Sequence, residues 1–134
     1  MSIRIGAMYE SLFTSEALRR GLDVAKPEGH HLPFDLIVSN KGKKLYRVQV
    51  KGTQAPQRSG FTFVTKKGKS RIKRVDYRNE IDVFVGIVER LGDRVFYIIP
   101  SNALSDRTSI RVFPDPNSKA QYEKYREGWG VFEK

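Results

Sequence analysis

The sequence predicts an α/β domain, a mixed β-sheet flanked by helices, and three stretches carry that prediction. Apolar residues recur at helical spacing near the N-terminus, two strand-like runs meet across a turn within residues 33–52, and an almost wholly apolar run, IDVFVGIV, begins at residue 81. A chain of 134 residues can bury one core but is too short for two, so residues 1–134 are read as a single domain.

Taken in order, Ile5, Met8, Leu12, Phe13, Ala17 and Leu18 form the apolar stripe of an amphipathic helix, with Gly21 placed as its left-handed stop after Arg19 and Arg20. Glu10 falls among the more polar positions of that helix, where a solvated residue is the plain reading. Leu22 to Ala25 is a short extended entry, and Pro27, Gly29 and the His30-His31 pair form a loop that leads to a strand over Phe34 to Val38. Asn40-Lys41-Gly42-Lys43 is a turn into a second strand containing Tyr46, Val48 and Val50, so the two runs make one antiparallel hairpin. Gly52 to Gly60 reads as a loop. Phe61 to Thr65 and Ser70 to Val75 alternate like a second hairpin with the basic tip Lys66-Lys67-Gly68-Lys69. Ile81 to Val88 is a central strand buried on both faces, and Arg94 to Ile99 is its partner across Gly92-Asp93. Ser101 or Asn102 caps a short helix at Ala103 and Leu104, Ser109 to Phe113 is an edge strand, and Ser118 to Glu127 is helical behind a serine cap. Trp129 and Phe132 are expected to pack on the body of the domain or on a partner subunit.

The first hairpin also carries chemistry. Strand side chains alternate faces, so Gln49 and Lys51 project together while Tyr46, Val48 and Val50 take the other side, and Asp35 sits on the adjoining strand. A carboxylate and an amide oxygen suit a hard cation such as Mg²⁺, which keeps waters or phosphate oxygens in its remaining positions. A structural cation site has no use for a neighbouring ammonium, whereas a phosphodiester-cleaving site can use Lys51 to hold the attacking water or offset charge on the phosphate.

Pro33-Phe34-Asp35 followed by Gln49-Val50-Lys51 resembles the signature of the PD-(D/E)XK nuclease superfamily: an Asp on one core strand, then an acidic residue, any residue and Lys on the next. Upstream, GAMYESLFTSEALRRGLDV is similar to the leading helix of that superfamily, whose inward-facing glutamate would be Glu10. Phe34 separates the proline from the aspartate, and Gln49 stands where an acid is usual. The glutamine form occurs in a branch that includes group I intron homing endonucleases, and archaeal Holliday junction resolvases share the helix and hairpin with an acid in its place. The resemblance implies a restriction-endonuclease-like core and a metal-dependent DNA endonuclease cutting at specific sites. Its alternatives are a structure-specific junction resolvase or a DNA-binding protein of the same fold that has lost catalysis. It further implies Glu10, Asp35, Gln49 and Lys51 as the active site, with Glu10, Asp35 and Gln49 holding Mg²⁺, for which Mn²⁺ would substitute. One such site cuts one strand, so a twofold homo-oligomer, a dimer or a tetramer, is expected.

Charge agrees with a polyanionic partner. The formal net charge is +10, and residues 41–78 hold thirteen Lys or Arg against the single acid Asp76, leaving twelve basic and fourteen acidic residues elsewhere. Lys43, Lys44, Arg47, Arg58, Lys66, Lys67, Lys69, Arg71, Lys73 and Arg74 are the candidate DNA contacts. Aromatic and aliphatic residues interleave with them, which favours folded strands over a solvated tail. Adjacent His30 and His31 diverge in either a strand or a helix, a poor arrangement for one zinc ion. The sequence contains no cysteine, no GxxxxGK[ST] loop and no apolar run of membrane-spanning length. A cytoplasmic, nucleoid-associated protein is therefore expected.

Overall fold

The computed structural model describes residues 3–56, 60–67, 75–90, 92–104, 109–115 and 117–133, with the side chains of residues 66–67 and 75–78 outside that description. Helix α1 spans Ile3–Arg19 and buries Tyr9, Phe13 and Ala17, one row at four-residue spacing. The stripe is narrower than the periodicity predicts, since Ile5 and Leu18 are exposed while Met8 and Leu12 pack at its margins. The helix stops as its sequence predicts. Gly21 has φ 85°, its N–H donates to the carbonyl of Leu18 at 3.0 Å, and the Leu22 N–H donates to that of Ala17 at 3.0 Å, a pattern that satisfies the last carbonyls and needs a residue tolerant of positive φ.

Strands β1 (Asp23–Ala25), β2 (Leu36–Ser39) and β3 (Leu45–Thr53) form an antiparallel meander. Both central residues of the β2–β3 turn, Lys41 and Gly42, have positive φ. Phe61–Val64 is β4, Lys66–Lys67 is β5, Val75–Asp76 is β6, and the one-turn helix α2 covers Tyr77–Glu80. Strand β7 (Val83–Arg90) lies parallel to β3, and β8 (Asp93–Pro100) returns antiparallel to β7, giving a five-stranded mixed sheet in the order β1-β2-β3-β7-β8. As predicted, the apolar run of β7 is buried on both faces. Its Val83, Val85 and Ile87 meet α1, Trp129 and Phe132, whereas Phe84 and Val88 face a second core.

That second core rests on a pairing that was not predicted. Among the described residues Phe61–Val64 pairs with β9 (Ser109–Val112), and the short β5 pairs with β6; residues 70–74 of the predicted hairpin's second arm lie outside the described residues. Phe61, Phe63, Ile110 and Val112 thereby form the apolar face of one ribbon laid over the sheet, with Phe63 edge-on to Phe84 at 6.1 Å. A Cβ at Gly86 would lie 2.8 Å from the Phe63 ring, so the bare backbone of β7 is what admits that side chain.

Two helix predictions also change. The 3₁₀ turn at Ser101–Ala103 has Pro100 at its N-cap and no side-chain cap. Within residues 118–127 only Glu123–Tyr125 is helical, as another 3₁₀ turn, because its polar groups are claimed by tertiary partners. The Glu123 carboxylate accepts from the Tyr97 hydroxyl at 2.8 Å and the Phe113 N–H at 3.1 Å, and Glu127, at φ 51°, exchanges hydrogen bonds with Phe96 of β8 through both its N–H and its carboxylate. Trp129 and Phe132 pack on the body: Trp129 stacks on Phe13 at 5.5 Å and Phe132 meets Tyr46 edge-on at 5.3 Å. Among the described residues no helix is long and apolar enough to cross a membrane.

Candidate active site

The register of β2 on β3 places Leu36 opposite Val48, so Asp35, one residue before the strand, lies opposite Gln49. The Asp35 N–H donates to the Val48 carbonyl at 2.8 Å, and its carboxylate accepts the Val50 N–H at 2.9 Å. The side chain thus takes the next backbone donor of β3 at the point where β2 ends, which orients the carboxylate against a rigid strand. Pro33, two residues earlier, has no N–H to extend the ladder.

Beyond Asp35 no part of β2 flanks β3, and side chains from both faces of the sheet reach a common space. Glu10 arrives from α1, on the Val48 and Val50 face, while Gln49 and Lys51 come from the opposite face. All four predicted residues, Glu10, Asp35, Gln49 and Lys51, line one cavity of about 280 Å³. An adjoining cavity of about 200 Å³ shares the four and adds Tyr9 and Gly52.

Burial, followed by the charge of Asp35, raises the pKa of the Glu10 carboxyl, against the opposing influence of Lys26 and His30. A carboxyl group whose ionisation is opposed by burial and by a neighbouring carboxylate is a place where a cation lowers the energy. With the Gln49 amide oxygen the two carboxylates form a hard donor set that fits Mg²⁺ or Mn²⁺. Among the described residues there is no cluster of three His, Cys, Asp or Glu able to hold a metal, so a third protein ligand here would come from an oxygen of another kind, such as the Gln49 amide.

Lys26 and His30 line the same cavity, and sequence reasoning assigned neither of them to the site. Lys26 Nζ lies 3.6 Å from Glu10 Oε1. Nothing in the spacing of a loop lysine announces that contact, which depends on where β1 leaves the sheet beside α1. Of the adjacent histidines only His30 lines the cavity, consistent with their expected divergence.

The candidate DNA contacts separate into groups. Lys43 and Lys44 are exposed at the β2–β3 turn, the end of the hairpin away from Asp35, and Lys44 Nζ sits 5.1 Å from the Tyr46 ring centroid. Arg47 is engaged within the fold: its Nε and Nη2 donate to the Asp82 carboxylate at 3.2 and 3.3 Å. Lys66 and Lys67 form β5, with side chains outside the description, and Arg58, Lys69, Arg71, Lys73 and Arg74 lie outside the described residues.

A helix over a mixed five-stranded sheet, with a polar cluster at the open end of its central hairpin, defines a restriction-endonuclease-like fold. A family model described as PD-(D/E)XK endonuclease matches residues 2–132, and the chain belongs to that family. Among solved structures, a bacterial homing endonuclease, I-Ssp6803I, is similar at TM-score 0.82 and 24% identity, covering 99% of this chain and 95% of that one. Hjc, a Holliday junction resolvase from the archaeal hyperthermophile Archaeoglobus fulgidus, is similar at TM-score 0.54 and 11% identity, covering 87% of this chain and 86% of that one. No curated protein matches.

Proposed function

We propose that this protein is a divalent-metal-dependent endonuclease that cuts DNA at specific sites, working as a homo-oligomer. The observation that carries the reading is the meeting of Glu10, Asp35, Gln49 and Lys51 in one cavity at the end of the β2–β3 ladder. Glu10, Asp35 and the Gln49 oxygen would hold Mg²⁺, which when bound supplies Lewis-acid polarisation of a phosphate oxygen and a more acidic water. Asp35 is held in place by the Val50 N–H, so its position does not depend on the ion. Lys51 holds the attacking water and offsets the negative charge that develops on the phosphate. Gln49 contributes a donor without charge, which leaves the ion less neutralised by the protein and makes the substrate phosphate a larger part of its binding. The glutamine form of the motif, together with overall similarity to a bacterial homing endonuclease, supports site-specific cleavage. Cutting both strands calls for two sites related by a twofold axis.

The test incubates the protein and Mg²⁺ or Mn²⁺ with linear, supercoiled and four-way-junction DNA. Discrete fragments from a plasmid carrying the target are the expected result; cleavage of the junction alone would make the protein a resolvase, and binding without cutting would make it a non-catalytic member. Asp35→Ala and Lys51→Ala should each lower cleavage by about 100-fold or more. Their DNA affinity should stay within about threefold of wild type, because phosphate contacts elsewhere supply most of it. Full activity in either variant removes the site assignment.

A further inference from the structure

We propose that Lys26 is a stand-in cation: its ammonium pairs with Glu10 while the metal site is empty and transfers to a DNA phosphate when a divalent ion takes Glu10. The inference rests on the reading of Glu10 and Asp35 as cation ligands and adds a basic residue at the mouth of their cavity.

The geometry favours a pairing that is easily given up. Lys26 follows directly on β1, whose last residue, Ala25, is held opposite Ile37, so the lysine backbone is anchored while its long side chain is not. Its side chain is 62% exposed, against 22% for Glu10, and the 3.6 Å separation is longer than a close ammonium–carboxylate hydrogen bond. An exposed pair of this kind contributes little and is cheap to break. What makes it useful is the neighbour. Asp35 adds a second negative charge to the same cavity, so a site without metal gains from any cation that can reach it.

A divalent ion between Glu10 and Asp35 reverses that balance, because it neutralises the carboxylates and repels the ammonium. The anion then within reach is a phosphate entering the cavity, whose mouth also carries His30. Lys26 would thus oppose metal binding in the free protein and assist DNA binding in the loaded one. Metal and DNA must then strengthen each other's binding, since coupling between two ligands is reciprocal.

Lys26→Met keeps the aliphatic stem and removes the charge; Lys26→Arg keeps the charge, and Lys119→Met removes an exposed lysine that does not line the cavity. Mn²⁺ binding to the DNA-free protein, followed by titration calorimetry, should tighten by about threefold in Lys26→Met and stay at the wild-type value in the other two. Affinity for a mixed-sequence DNA duplex, followed by fluorescence anisotropy, should fall by about threefold in Lys26→Met with saturating Ca²⁺ and be unchanged without metal. Equal weakening with and without metal, or Mn²⁺ affinity equal to that of Lys119→Met, overturns the proposal and leaves the metal site standing. Unchanged Mn²⁺ affinity in Glu10→Gln removes the metal site itself, and Lys26's role with it.

Discussion

Gly52 shows how one residue's missing side chain sets the distance on which the site depends. A Cβ added there would overlap the ring of Tyr9, which lies flat against the strand backbone. Tyr9 is the buried neighbour of Glu10, so the closeness of this contact fixes how far the Glu10 carboxylate reaches toward Asp35 and Gln49. Gly52→Ala should force α1 away from β3 and cost about 1–3 kcal/mol of stability, the usual range for overpacking. Cleavage should fall more than DNA affinity, because most of that affinity is proposed to come from the basic residues of 41–78 and not from the reach of Glu10. A Tyr9→Leu change in the Gly52→Ala background should recover part of the thermal midpoint, as measured by calorimetry; strictly additive losses would mean that the ring and the glycine do not interact. Glycine in a strand signals a close approach, but the sequence does not say by what. Asp35, Gln49 and Lys51 are legible because period-two alternation and a hairpin turn suffice to bring them together. Glu10 needed the family resemblance, and Lys26 is invisible because its contact is fixed by the packing of β1 beside α1.

Between elements, the parallel pairing of β3 and β7 begins with a double link. The Asp82 N–H donates to the Arg47 carbonyl at 2.8 Å, and the Asp82 carboxylate accepts the Arg47 N–H at 2.8 Å as well as the guanidinium. Burial pushes the Asp82 pKa up, but the hydrogen bonds and charge of Arg47 outweigh it and leave the pKa below its ordinary value. A depressed folded pKa means stability that is present above the ordinary aspartate range and lost as pH falls through the folded value. Asp82→Asn, which keeps an acceptor for the backbone N–H, should therefore lower the thermal midpoint at pH 7 by about 1–3 °C. That difference should shrink as the pH is taken below the ordinary aspartate pKa; an offset that persists at the lowest pH would assign the effect to packing and not to charge. The strands that flank this link were legible from their apolar runs. The partner of β4 was not, because the alternation of Phe61 and Phe63 states that one face must be buried without naming Ile110 and Val112, nearly fifty residues on. Likewise the Ser118 to Glu127 segment has helical composition, yet Glu123 and Glu127 do more for the fold by bonding Tyr97, Phe113 and Phe96.

Over the whole molecule, the distribution of charge around the proposed site is the property that bears on function. The net charge of +10 is concentrated in residues 41–78, which carry thirteen basic residues; Gln49 and Lys51 of the proposed site fall within that run, whereas Glu10 and Asp35 precede it. Arg47 is drawn into the fold by Asp82, so the basic run is not uniformly available to a ligand. Lys66 and Lys67 belong to β5, which pairs with β6 and not with the hairpin that carries Asp35 and Lys51. Affinity and catalysis should therefore come apart under mutation. Each phosphate contact on duplex DNA contributes about 0.9 to the slope of log K against log salt, so replacing Lys66, Lys67 and Lys69 together should flatten that slope by about 2.7. Binding at a fixed low salt should weaken with it, while the single-turnover cleavage rate at saturating DNA should remain within about twofold, since the residues proposed to do the chemistry come from α1 and the β2–β3 hairpin and not from this cluster. Anisotropy titrations across a salt series measure the first quantity and rapid quench the second. A wild-type slope in the triple variant would move the DNA path to Lys43, Lys44 and the basic residues from Arg71 to Arg74, and a collapse of the saturated rate would place the cluster against the scissile phosphate.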